Sequence, residues 1–170
     1  MINDNIYLIG LSGSGKSTIG KILAEKLNFD FIDTDKEIEN IMDMTMNQIF
    51  IEYGEQYFRL LETTFFQERI KNGQVIYSTG GGLILDKKNQ NILRKNGKTI
   101  FLDCMPETII KRLKNAKTTR PLLSDNFNST IQSLYKNRYP IYKSCSNFVI
   151  NVDNKKPQSI VSIIERFLNA

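Results

Sequence analysis

Gly10-Leu11-Ser12-Gly13-Ser14-Gly15-Lys16-Ser17 lies between the apolar run Ile6-Tyr7-Leu8-Ile9 and a stretch in which Ile19, Ile22, Leu23 and Leu27 recur at helical spacing. A strand, a complete G-x-x-x-x-G-K-[ST] loop and a helix from about Lys16 to Leu27 follow one another directly. Gly10, Gly13 and Gly15 permit backbone angles and close approaches that a side chain would block, so successive N–H groups can turn inward around a polyphosphate. The anion then meets a helix N-terminus, where amides without helical partners and the helix dipole favour negative charge. Lys16 can neutralise the outer phosphates, and the Ser17 hydroxyl can ligate an accompanying Mg²⁺.

Beyond this unit, Phe29, Phe31 and Ile32 predict a second short strand ending at Asp33-Thr34-Asp35. Three more apolar, β-branched runs follow, at Val75-Ile76-Tyr77, Thr99-Ile100-Phe101-Leu102 and Phe148-Val149-Ile150-Asn151-Val152. Helical sequence separates them. Gly73 and Gly97 occupy positions suited to C-terminal caps, Pro106 and Pro157 suit first turns, and Ile160, Ile163, Ile164 and Phe167 mark a final amphipathic helix. Alternating strands and helices predict a parallel sheet covered on both faces, with ligands at the carboxyl ends of its strands. The expected fold is an α/β P-loop three-layer sandwich on a five-stranded parallel sheet.

The length of 170 residues suits one domain. Residues 36–72 hold more helical sequence than one crossover requires and are read as a substrate-binding insertion. Residues 115–127 are polar and poorly periodic, the profile of a functional loop. Composition is that of a globular protein, 41% hydrophobic and 24% charged. No apolar run approaches the ~18 residues that cross a bilayer, and the start Met-Ile-Asn-Asp-Asn is not a cationic segment leading into an apolar one. No membrane association or export is expected. Cys104 and Cys145 lack C-x-x-C spacing, which argues against disulfides or zinc and for a reducing cytoplasm. With no histidine, chemistry must rest on carboxylates, lysine, arginine, hydroxyls and bound metal. The net charge of +5 suits anionic small substrates, and no basic block interleaved with aromatics points to nucleic acid.

Several residues can complete a site around the loop. In an extended segment Asp33 and Asp35 would point to one side, about 7 Å apart. One could hold Mg²⁺ through water while the other meets a substrate hydroxyl and accepts its proton; alternatively Asp33 caps the following helix. Arg59 flanks an apolar stripe of Phe58, Leu61 and Phe65, three residues before Glu62. Spacing does not decide between a carboxylate fork steadied by Glu62 and a solvated ion pair. Gly80-Gly81-Gly82 follows the third strand, Arg120 lies in the irregular segment, and Arg138 precedes Pro140, which is expected to kink or end its helix.

Together these motifs resemble the shikimate kinase family: the loop Gly10–Ser17, Asp33-Thr34-Asp35, Phe58-Arg59 with Glu62, Gly80-Gly81-Gly82, Arg120-Pro121-Leu122-Leu123 and Arg138-Tyr139-Pro140-Ile141-Tyr142 stand in the family's order and near its spacing. The resemblance implies MgATP-dependent phosphorylation of the 3-hydroxyl of shikimate, in aromatic amino-acid biosynthesis, by a monomer. It implies that Gly13, Ser14, Gly15, Lys16, Ser17 and Thr18 hold ATP, with Ser17 and Asp33 on Mg²⁺. Asp35, Arg59, Gly80, Gly81, Gly82 and Arg138 would bind shikimate. Asp35, Lys16 and Arg120 would be catalytic, and residues 115–127 a lid. Arg112 and the stretch from Val152 through Asp153 to Pro157 are the matches for adenine recognition. The loop interior Leu-Ser-Gly-Ser is closer to gluconate kinases, which would however not predict the triple glycine with Arg59 and Arg138. A nucleoside monophosphate kinase would ordinarily carry Pro-Gly in the loop, and a non-catalytic nucleotide-binding module leaves the paired aspartates and spaced arginines unexplained.

Overall fold

The computed structural model describes residues 4–70, 73–115 and 126–170. Their elements run β1 (Asn5–Ile9), α1 (Lys16–Leu27), β2 (Asp30–Asp33), α2 (Thr34–Met42), α3 (Met46–Glu68), β3 (Val75–Ser78), a 3₁₀ turn (Leu83–Leu85), α4 (Lys87–Lys95), β4 (Gly97–Asp103), α5 (Pro106–Asn115), α6 (Phe127–Cys145), β5 (Phe148–Asn151) and α7 (Pro157–Leu168). The five strands form one sheet in the order β2-β3-β1-β4-β5, with every pairing parallel. β1 and β3 are buried at every position, which is why they read as unbroken apolar runs and not as alternation. The outer strands β2 and β5 are more exposed.

Register fixes the site. Ser78 pairs with Leu8 on one side and Asp33 on the other, so the ends of β1, β2 and β3 emerge together at the carboxyl edge. Helices cover the sheet: α1 buries Ile19, Leu23 and Ala24 and packs on α7, which buries Ile160, Val161 and Ile164. α2 and α3 carry a small core of their own, Ile38, Ile49, Phe58 and Phe65. A capping box at Thr45 and Gln48 starts α3, which kinks at Gly54, where φ is 81°.

Four local expectations need correction. The second strand ends at Asp33, because the Asp33 carboxylate accepts from the Lys36 amide and starts α2 at Thr34. Asp35 therefore sits in a helical first turn, and the extended spacing of the two carboxylates does not apply. α3 ends at Glu68 with Arg69 as its cap, so Gly73 is not a helix cap. Gly97 instead opens β4 directly after the Asn96 cap, and a β-carbon there would collide with the Asn5 carbonyl across the sheet. Pro140 lies inside α6, which continues to Cys145; it is on the exposed side, where the carbonyl one turn earlier loses only a helical partner that water can replace. Residues 116–125, including Arg120 and most of the expected lid, lie outside the described residues.

Candidate active site

The loop after β1 is shaped by close approach. A β-carbon on Gly10 would lie 2.7 Å from the Leu102 carbonyl oxygen of β4, so only glycine lets the chain turn there. Gly15, at φ 100°, is the N-cap of α1, and no side chain caps that helix. The first amides of α1 thus face the loop interior with the dipole behind them, the arrangement that holds phosphate. Lys16 is buried, and its Nζ donates to the carbonyls of Gly10 at 2.8 Å and Leu11 at 2.9 Å. Ser14 is also buried, while Ser17 and Thr18 are exposed.

Ser17 Oγ donates to Asp33 Oδ2 at 2.5 Å and lies 3.2 Å from Ser78 Oγ. Asp33 therefore caps α2, as the alternative reading had it, and its other carboxylate oxygen faces the hydroxyl of the phosphate loop. A hydroxyl beside a carboxylate is a hard-oxygen donor pair that fits Mg²⁺, which keeps several waters and binds through one or two carboxylates plus substrate phosphates. Among the described residues no group of three or more Cys, Asp or Glu could hold a metal by itself.

The triple glycine earns its place by space, since none of the three has a positive φ. A β-carbon on Gly80 would overlap Glu62 Oε1 and lie 2.6 Å from Asp35 Oδ1; one on Gly82 would overlap the Arg59 guanidinium. One on Gly81 would lie 3.3 Å from the Ser12 amide and 3.5 Å from the Gly10 oxygen. Four charged or loop elements therefore abut one strip of bare backbone. The Gly81 carbonyl accepts from Arg138 at 3.0 Å, and the Gly80 amide donates to Thr34 Oγ1 at 3.0 Å.

Arg59 donates to Glu62 at 2.8 Å and to Glu55 at 3.2 Å, and stacks 5.2 Å over the Phe58 ring. The ion pair that spacing left open is not solvated: Glu62 is 1% exposed. Burial pushes its carboxyl up to about 7, against the lowering effect of Arg59 and with help from the Asp35 charge. Asp35 is raised as well, chiefly by burial; Lys16 and Arg59 oppose the shift and Asp33 adds to it. Asp35 Oδ1 and Glu62 Oε1 are buried without a hydrogen-bond partner. The two carboxyl groups meet at Gly80, Arg59 lies against Gly82 and Arg138 bonds the Gly81 carbonyl, so hydrogen-bonding carboxyls and carboxylate-pairing guanidinium groups share one short strip.

On the other flank, Arg112 donates to the carbonyls of Gly13 and Ser14, both at 3.2 Å, so it is fastened to the loop. The Asp153 carboxylate accepts from the Met105 amide and from Asn151. Burial would raise it, but hydrogen bonds from Thr108, Asn151, Met105 and Cys104 outweigh that and hold it low. Its side chain braces the start of α5. Three contributors were not singled out from the sequence. Thr34, fully buried between the two aspartates, ties them to Gly80; a polar residue inside an acidic pair was the available signal. Ser78 faces Ser17, and Tyr142 reaches Gly81 at 2.5 Å, both without a distinguishing signal of their own.

A family model described as shikimate kinase matches residues 12–169. The chain is 48% identical over 155 residues to the shikimate kinase of Caldicellulosiruptor saccharolyticus, covering 91% of this chain and 89% of that one. It is 44% identical over 160 residues to that of Sulfurihydrogenibium sp., covering 94% and 95%. Among solved structures, shikimate kinase from Acinetobacter baumannii in complex with shikimate superposes with a TM-score of 0.93 at 30% identity, over 98% of this chain and 93% of that one.

Proposed function

The chain belongs to the shikimate kinase family, and we propose that its own residues carry the family's reaction as follows. It is a phosphotransferase that moves the γ-phosphoryl of ATP to the 3-hydroxyl of shikimate, giving shikimate 3-phosphate and ADP for aromatic amino-acid biosynthesis. The observation that carries the assignment of residues is the meeting of Asp35, Arg59, Glu62 and Arg138 on Gly80-Gly81-Gly82, where a β-carbon on the middle residue would come against the phosphate loop.

Gly13 to Thr18 hold the ATP phosphates through backbone amides and hydroxyls, with Lys16 leaving its loop carbonyls to meet the β- and γ-phosphates. Ser17 and Asp33 would hold Mg²⁺, which when bound would offset charge on the phosphates. Arg59 and Arg138 take the shikimate carboxylate, and Asp35 with the glycine backbone takes its hydroxyls. The attacking hydroxyl oxygen forms its bond to the γ-phosphorus as the bond to the β,γ-bridging oxygen breaks. The hydroxyl proton passes to Asp35, whose burial makes it a better base than an ordinary carboxylate. Arg112 supports the loop from the adenine side, and Asp153 positions the segment that covers adenine. Residues 36–72 form the acceptor side of a single domain, while Arg120 and most of the expected 115–127 lid lie outside the described residues.

We assign the protein to the cytoplasm as a monomer. Among the described residues no helix is long and apolar enough to cross a membrane, Cys104 and Cys145 are buried and unpaired, and one chain supplies both sides of the proposed site. Measuring ADP release with shikimate, gluconate and AMP as acceptors tests the reading: turnover is expected with shikimate alone. Turnover with gluconate or AMP in its place would overturn it.

A further inference from the structure

Tyr142 is buried to 1% exposure at the heart of the acceptor side, yet no step above uses it. Its ring stacks on Phe101 of β4, with centroids 5.0 Å apart and planes 24° from parallel, so the hydroxyl is aimed by the sheet. That hydroxyl donates to the Gly81 carbonyl at 2.5 Å. Arg138, one turn earlier on α6, donates to the same oxygen at 3.0 Å. The two donors occupy the carbonyl's two lone pairs, and Arg138 also hydrogen-bonds the tyrosine oxygen. Burial raises the phenol well above its ordinary range; Arg138 and Arg59 oppose this and Glu62 adds to it, so it remains a neutral donor.

Resting on the proposed shikimate site, we propose that Tyr142 is a positioning residue for the acceptor: with the Gly81 carbonyl it fixes the Arg138 guanidinium in the orientation that receives the shikimate carboxylate, without touching the reacting atoms. An arginine held at two points loses less freedom when it binds a carboxylate, so the effect falls on acceptor affinity and leaves the chemical step alone. The sharing of one carbonyl makes Tyr142 and Arg138 a coupled pair.

Steady-state kinetics of Tyr142→Phe, Arg138→Lys and the double variant, with shikimate and ATP each varied, test this. Tyr142→Phe is expected to raise KM for shikimate about 3- to 10-fold, the scale of one lost hydrogen bond, with kcat and KM for ATP changed less than about 2-fold. In the Arg138→Lys background the same substitution is expected to add less than about 2-fold, because its target is gone. An unchanged KM for shikimate, an equal rise in KM for ATP, or full multiplication of the two single effects would overturn the inference. If Arg138→Lys leaves the shikimate KM unchanged, the site reading itself fails and the inference with it. Should the phenylalanine variant not accumulate folded, Tyr142→Met, which fills most of the space without a hydroxyl, is scored by the same criteria.

Discussion

The two sides of this site are built by opposite means. The phosphate side is one continuous segment, Gly10 to Thr18, whose working groups are backbone amides at an uncapped helix start. The proposed acceptor side draws on β2–α2, α3, the turn after β3 and α6, and its working groups are ionisable side chains, Asp35, Arg59, Glu62 and Arg138, of which Glu62 is buried and the others half-buried. A backbone site is locally determined and tolerates many neighbours. A side-chain site requires every neighbour to leave room, which is why glycines stand where Asp35, Glu62 and Arg59 pass. The difference implies that acceptor binding can be broken by single substitutions that leave nucleotide binding intact.

The largest such break is expected at the junction. Asp35→Asn removes the proposed proton acceptor while retaining shape, so kcat should fall by about 10²- to 10⁴-fold, the usual range for a general base. Mg-ADP affinity, read by calorimetry, should stay nearly constant. A kcat close to that of the parent would reduce Asp35 to an anchor. Next is Gly82→Ala. Its methyl group meets the far end of a flexible side chain, Arg59, and not rigid backbone. The fold should therefore persist, while KM for shikimate rises about 3- to 10-fold through a misplaced guanidinium. Equal loss of ATP affinity would contradict the separation of the two sides.

The smallest effect is on stability and concerns Glu62. Folded, its carboxyl keeps a proton up to about pH 7, whereas the unfolded group releases it near its ordinary 4.5. Between those values the folded state binds more protons, so the stability that Glu62 contributes is present at low pH and declines as pH rises toward 7. Glu62→Gln cannot titrate. The melting temperature of the parent relative to this variant should fall by several degrees between pH 5 and 7.5. A difference independent of pH would show that Glu62 is ionised throughout.

How much of this was readable in advance follows the same division. The phosphate loop was legible because glycine placement and the Lys-Ser ending encode its conformation within eight residues, and the sheet because its inner strands are buried on both faces. The acceptor side was legible as a set of residue types but not as a geometry. Asp33-Thr34-Asp35 reads as a strand end, yet the Asp33 carboxylate caps a helix and turns Asp35 into its first turn. Spacing leaves Arg59 and Glu62 open between a ligand fork and a solvated pair, and it is the packing of α3 against the glycine turn that buries Glu62. The triple glycine is visible in the sequence, but not that the side chains it makes room for are Asp35, Glu62 and Arg59. Asp153 reads as part of an adenine loop, and the sequence does not show that its carboxylate also braces the start of α5. In each case the deciding fact is a contact between segments distant in sequence, which no local pattern contains.

The claim that one chain joins a backbone-built phosphate site to a side-chain-built shikimate site is tested most directly by titrating Mg-ADP and shikimate separately into Arg59→Ala and the parent. Loss of a charged, partly buried fork predicts shikimate binding weakened at least about 10-fold with Mg-ADP binding unchanged. Unweakened shikimate binding, or parallel weakening of both ligands, would contradict it.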